Sequence, residues 1–525
     1  MKKTKLSLFT VVFLIANFWN ASLHAFPSAD EYYAPPSKRL ISQKSARQSI
    51  EVNSTQSKSV KAHPDFQGLN PSQIFAAKRH ARASLNVKKT KQVSQLNPFS
   101  SLPQSGRDLE YFLESPSLAG ERNLEKIEAL NLQSAKIEQD AWSDSYWPIY
   151  KGILGNRYND EEFDAAGRGR FRDFYNYIQR SDRQFPAIVA GVQDPNDSRL
   201  LNLSPSEKYD LLLGDSNSLL TKKMWADGNR YADESGNVEA WMGICHGWAP
   251  AAYKENRPTH RVQVMAHDQK TLLTFYPSDI KALATLLWAN GNSPMLAIGA
   301  RCNEKDPQRG ENGRLLNPEC EDIHPGLWHL SVINKIGVQK RSFVMDATWD
   351  YEVWNQPVLS YKISYFDVTN NDKTGKSFQD VAKLRSEVPE DPYAKFRSPL
   401  THKIVGVEMT VEYLSENSPS HNATDSRELD QIVEVTYFYD LELDDKNNIV
   451  GGEWYQFHHP DFLWDPPAGS LAWAWADRAS SSVWTGEGPV PAALRRAAIS
   501  GSRSSSSLGQ PLGKVVRTLI DLSQR

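Results

Sequence analysis

Two late stretches constrain the fold of this chain more than any other feature. Residues 404–413 place Val405, Val407, Met409 and Val411 at every second position, and residues 432–443 do the same with Val433, Val435, Tyr437, Tyr439 and Leu441. Such alternation turns one apolar and one polar face out of a strand, so each stretch predicts a strand with one buried side. Asp445-Lys446-Asn447-Asn448 then leads into a return at 453–457, which makes the pairing antiparallel. A sheet of this kind needs an apolar layer against it.

The middle of the chain supplies helices and short strands. Phe171–Ile178 and Ser206–Leu213 have helical spacing, and 262–266 with 271–276 read as a hairpin. Ser278-Asp279 suits the start of a helix carrying Ile280, Leu283, Ala284 and Leu287, stopped by Gly291. Met295–Gly299 is a short strand candidate. Helices followed by antiparallel strands give an α+β class. Leu327–Lys335 and Lys340–Thr348 also read as strands, joined at Gly337-Val338 by a type II′ turn. That register sets His329 directly opposite Asp346.

The N-terminal part is of another kind. Lys2, Lys3 and Lys5 precede an apolar run from Leu6 to Ala16, too short to span a bilayer, and a small residue at Ala25 suits cleavage. Residues 1–25 therefore predict an export signal, and the expected location is secreted or periplasmic. No later run is long and apolar enough to cross a membrane, so an integral membrane protein is not expected. Residues 26–138 form a basic, Ser- and Gln-rich arm or pro-segment. Between Lys38 and Ser100 there are 12 Lys and Arg against 2 Asp and Glu, although the whole chain carries a net −3. A solvated segment is the simplest reading of that arm, and nucleic acid is not among the expected partners. Helical spacing first appears at 123–141. An aromatic cluster, Trp142 to Tyr150, opens a catalytic core expected over 139–400. A β extension over 401–466 and a partly disordered tail over 467–525 follow, with an amphipathic helix near 515–522.

Three cysteines matter in an oxidising compartment. Cys302 and Cys320 flank a polar loop, and a bridge there would stabilise by about 3 kcal/mol in the chain-entropy picture. Cys245 would then be left unpaired and reactive. Three reduced structural cysteines would require a reducing compartment.

Cys245 lies in Trp241-Met-Gly-Ile-Cys-His-Gly-Trp-Ala-Pro250, after a glycine and before residues able to start a buried helix. The positive end of a helix dipole favours thiolate, the nucleophilic form. A buried cysteine is more often simply a small apolar residue, and Pro250 fits poorly inside a helix. The pairing of His329 with Asp346 raises the case for chemistry: Cys245 as nucleophile, His329 as base, Asp346 as the carboxylate that orients it. His246, His324, His260, His267 and Asp350 are the competitors. An oxyanion would use the Cys245 backbone N–H, with Trp241 as a further donor candidate.

These blocks, together with Arg301-Cys302, Gly326-Leu-Trp-His-Leu330 and Phe343-Val-Met-Asp-Ala-Thr-Trp-Asp-Tyr-Glu-Val-Trp-Asn-Gln-Pro357, resemble the secreted transglutaminase elicitor family from about Trp142 to Pro466. The resemblance implies a papain-like or transglutaminase-like core, a Cys245–His329–Asp346 triad, a Cys302–Cys320 bridge, and protein substrates that supply glutamine and lysine side chains. A cysteine amidase or peptidase shares the thioester step, and a non-catalytic elicitor or binding protein needs none of it. No cofactor is required. Calcium is conceivable at Asp440, Glu442, Asp444 and Asp445, but the spacing lacks the pattern of a calcium loop.

Overall fold

Among the described residues nine strands share one sheet, in the order 449–451, 431–443, 403–415, 355–366, 344–346, 462–465 and 296–299, with 134–136 added to 355–366 and 383–384 to 403–415. This computed structural model describes residues 121–525 apart from 300–301, 303, 306, 311–313, 317–322, 350, 371–376, 457 and 504–507, together with 109, 112 and 113. The expected export signal, most of the basic arm, Cys320 and Asp350 lie outside the described residues.

The strands are β1 (Ser134–Lys136), β2 (Val262–Met265), β3 (Leu272–Phe275), β4 (Leu296–Gly299), β5 (Val344–Asp346), β6 (Asn355–Phe366), β7 (Lys383–Leu384), β8 (Lys403–Ser415), β9 (Gln431–Leu443), β10 (Ile449–Gly451) and β11 (Phe462–Asp465). Strands β2 and β3 make a separate hairpin with Val262 opposite Phe275. The helices used below are α1 (Leu124–Ala129), α2 (Pro205–Leu213), α3 (Leu219–Ser235), α4 (Cys245–Lys254), α5 (Pro277–Asn290), α6 (Pro325–Val332), α7 (Ala492–Ser502) and α8 (Gly513–Ser523).

The two alternating stretches pair in one unbroken register, Lys403 opposite Leu443 through Ser415 opposite Gln431. Val405, Val407, Met409 and Val411 thereby meet Leu441, Tyr439, Tyr437 and Val435, all of them buried or half-buried. Because β8 also pairs with β6, these strands continue the central sheet and do not form an extension of their own. The N-terminal boundary shifts too. The helix read over 123–141 ends at Ala129, and β1 pairs with β6, so residues 134–136 belong to the sheet.

The hairpin read over 327–348 is overturned. Residues 325–332 form α6, which runs on as a π-helical turn over Ile333–Val338. The local reason is clear. His324 caps the helix, its Nδ1 accepting the Leu327 N–H at 3.3 Å, and Pro325 occupies the first helical position, where a missing N–H costs nothing. Every residue of α6 is buried, so no amphipathic period marks it as helix. Gly337 sits against the Tyr361 hydroxyl: a Cβ there would lie 2.6 Å from it.

The C-terminal residues are packed. Leu494 of α7, Leu512 just before α8, and Val515, Val516, Leu519 and Ile520 of α8 are buried. The Tyr209 hydroxyl of α2 accepts the Leu512 N–H, and Arg517 pairs with Glu255, the cap residue that follows α4.

Candidate active site

Helix α4 begins at Cys245 and carries through Pro250. It lies against α5 so closely that a Cβ on Gly247 would meet the Thr285 carbonyl oxygen at 2.2 Å. Glycine is therefore required one turn into the helix, and that contact fixes where its first residue sits. As the first helical residue, Cys245 has a backbone N–H with no place in the helical ladder.

The thiol is buried and free. It donates to the Val353 carbonyl at 3.6 Å, and the Asn355 side-chain amide donates to Sγ at 3.4 Å. The Asn355 amide is itself held, since the Trp464 indole donates to its Oδ1 at 2.8 Å. Burial pushes the Cys245 thiol up to about 11, opposed by the side-chain and backbone N–H groups of Asn355 and reinforced by the Glu416 and Asp346 carboxyls. In this state Cys245 is a protonated thiol at neutral pH.

Asp346 ends β5 directly opposite Asn355. Its Oδ1 accepts from Trp354 N–H at 2.9 Å and from Thr348 Oγ1 at 2.8 Å, while Oδ2 is buried without a hydrogen-bond partner. Burial raises this carboxyl well above the usual range, and the neighbouring Asp461 adds to the effect. The backbone of Asp461 reaches the Asp346 carbonyl at 3.4 Å, and its Oδ2 accepts the Cys302 N–H at 2.7 Å. Glu416, also raised by burial to about 7, receives the Gln356 amide.

His329 lies on α6, not on a strand facing Asp346. Its Nδ1 contacts the Tyr439 hydroxyl at 2.8 Å, and its buried Nε2 has no partner. Burial alone pushes the imidazole down to about 3, with no contribution from Asp346 or Cys245. The structure thus brings Cys245 and Asp346 to the Asn355 end of β5 and β6. It places the His329 ring in hydrogen-bond contact with neither. Trp241 is also committed elsewhere, its indole donating to Glu239 at 2.5 Å. Among the competitors, His246 is half-buried and desolvation pushes it down to about 4, and His260 contacts Thr259 and the Ser523 carbonyl. Cys302 is buried, while its expected partner Cys320 lies outside the described residues.

Sequence reasoning missed Asn355, Trp464 and Glu416. Asn355 stands inside the block Phe343–Pro357, so the signal was present, but nothing local says that its amide meets a sulfur 110 positions earlier. The acidic cluster at 440–445 also reads differently in three dimensions. Asp440 and Glu442 are buried on Arg397, at 2.5 and 3.3 Å, and Asp444 accepts from Lys446 and Asn448 in a turn. Among the described residues no group of three or more His, Cys, Asp or Glu is arranged to hold a metal ion. No helix among them is long and apolar enough to cross a membrane.

No curated protein sequence matches the chain. A solved structure, the GP42 transglutaminase from Phytophthora sojae, is similar at 18% identity and a TM-score of 0.46, covering 77% of this chain and 98% of that one. Residues 108–472 match the sequence model of the family described as Transglutaminase elicitor. That match spans well over half of the chain, which belongs to the transglutaminase elicitor family.

Proposed function

We propose that this protein is a protein-glutamine γ-glutamyltransferase with Cys245 as nucleophile. The observation that carries the reading is a free thiol on the first residue of a buried helix, with the Asn355 amide donating to it. Sγ attacks the carboxamide carbon of a glutamine side chain and the thiol proton passes to the leaving nitrogen. Ammonia departs and a thioester remains. A lysine amine then attacks the thioester, loses its proton and forms an isopeptide bond, which restores the thiol. The Cys245 backbone N–H is the oxyanion donor.

His329 and Asp346 keep the roles of base and orienting acid in this proposal. Both retain an unpartnered buried atom, Nε2 and Oδ2. With Nδ1 on the Tyr439 hydroxyl, the unpartnered Nε2 is the ring nitrogen left to take the thiol proton. The proposal extends to a papain-like arrangement of the core, a Cys302–Cys320 bridge and export from the cell.

A second reading, a binding or elicitor protein without catalysis, is favoured by the hydrogen bond of the His329 ring to Tyr439 instead of the thiol and by the raised thiol pKa. One assay separates the two. Incorporation of a labelled amine into a glutamine-bearing protein, lost in both Cys245→Ala and His329→Ala, supports the enzyme. Absence of incorporation by the wild-type chain, with the biological effect of Cys245→Ala intact, supports the binding protein.

A further inference from the structure

Among the described residues, strand β9 has an open edge over 432–436. Farther along, the Asp440 N–H donates to the Glu453 carbonyl and the Phe438 carbonyl accepts the Tyr455 N–H. Even-numbered residues of β9 therefore turn both backbone groups away from β8, because a strand residue points its N–H and C=O to the same side. By that parity Ile432, Glu434 and Thr436 also point outward. The Thr436 carbonyl accepts the Gln456 side-chain amide at 3.3 Å. The N–H and C=O of Ile432 and Glu434 and the N–H of Thr436 have no partner among the described residues. Ile432 and Glu434 are exposed.

The charge on this edge is one-sided. Glu434 stands directly opposite Glu412, and neither forms an ion pair among the described residues. Like charges face to face destabilise a strand pair, so an incoming positive charge would relieve the strain. The edge also connects to the candidate site. Gln456 is bonded to Thr436, and Asp461, five residues on, reaches the Asp346 carbonyl. A fully extended span of that length covers at most about 17 Å.

We propose that the 432–436 edge of β9 docks an extended, lysine-bearing polypeptide as an added strand, and so selects the amine-donor substrate. Unpaired backbone groups supply the affinity of such an addition, and the Glu412–Glu434 pair supplies the preference for a basic side chain. This rests on the transglutaminase reading above.

The test uses the full-length protein, a fixed glutamine donor and two acceptors: a strand-forming lysine peptide and a small dansylated diamine. Glu434→Pro removes an outward N–H without touching the β8 ladder, a position where proline is tolerated. Glu412→Gln/Glu434→Gln removes the charge and leaves the backbone unchanged. Both variants should raise KM for the lysine peptide about five- to tenfold at unchanged kcat, the loss of roughly one net hydrogen bond or ion contact. KM for the small diamine should stay the same. Equal effects on both acceptors, or none on either, overturn the proposal. If the wild-type chain consumes no acceptor, the enzyme reading fails and docking is decided by fluorescence anisotropy of the labelled lysine peptide on Cys245→Ala. Weaker binding after Glu434→Pro upholds the edge, and equal binding overturns it. Self-association of the wild-type chain that Glu434→Pro abolishes would assign the edge to a second copy and also overturn the proposal.

Discussion

The Asn355 amide nitrogen stands 3.4 Å from Cys245 Sγ, and the Trp464 indole fixes which end of that amide faces the sulfur. An indole N–H only donates, so the amide oxygen must turn toward Trp464 and the NH2 toward the thiol. One tryptophan on β11 thereby orients the donor that favours the thiolate of a cysteine on α4.

Asn355→Ala removes that donor, and the thiol should then titrate higher still. In the wild-type chain the alkylation rate with iodoacetamide should keep rising toward pH 11, where an ordinary thiol levels off near 9. The variant should be slower at every pH below 11. Trp464→Phe should fall between the two, because the amide is then free to flip. Equal alkylation profiles for all three proteins would show that the Asn355 contact does not act on the sulfur.

His329 is buried as a neutral imidazole, with a folded-state pKa near 3 against 6.5 in the unfolded chain. Below pH 6.5 the unfolded state binds the extra proton, so stability falls as pH drops from 6.5 toward 3. At pH 5 that costs about 2 kcal/mol relative to pH 7. His329→Gln removes the titration, so its stability should fall less than the wild type's between pH 7 and 5. Urea unfolding at the two pH values measures the difference. An unchanged pH dependence would mean that the ring is already solvated.

Arg397 is buried between Asp391, Asp440 and Glu442. Removing one side of such a network leaves uncompensated charge, at a cost of about 3–5 kcal/mol. Arg397→Ala should therefore lose most of its thermal stability by calorimetry, whereas Arg427→Ala, on a largely exposed pair with Asp140, should lose under about 1 kcal/mol. Equal losses would contradict the assignment of Asp440 and Glu442 to a structural ion network.

Gly247→Ala should separate α4 from α5, since backbone at Thr285 stands in the way of the new methyl. Overpacking of this kind typically costs about 1–3 kcal/mol. Amine incorporation should fall further than stability does, because the shift moves the first residue of the helix. Full activity at reduced stability would show that the site tolerates displacement of α4.

Much of the sheet was legible because alternation reports a half-buried strand directly. The pairs Val407–Tyr439 and Met409–Tyr437 are the residues that the pattern marked. Hairpin β2–β3 and helix α5 were legible for a related reason: their turn and cap residues act locally, as when Asp279 accepts the Tyr276 N–H. Helix α6 was not, because it is apolar on every side and its β-branched and aromatic residues suit a buried strand equally well. The error spread to the site, since the facing of His329 and Asp346 depended on that hairpin. Cys245 and Asp346 could be chosen from residue type and block. The Asn355 contact could not, because it arises from β6 passing under the start of α4, a long-range event with no local signature.

Every proposed step depends on Cys245 carrying the acyl group. The direct measurement is intact-mass and peptide mapping of the wild-type chain after mixing with a glutamine peptide and no amine acceptor. An adduct equal to the peptide less ammonia is expected on the fragment containing Cys245 and absent from Cys245→Ala. Amine incorporation that persists in Cys245→Ala, or an adduct on another residue, would contradict it.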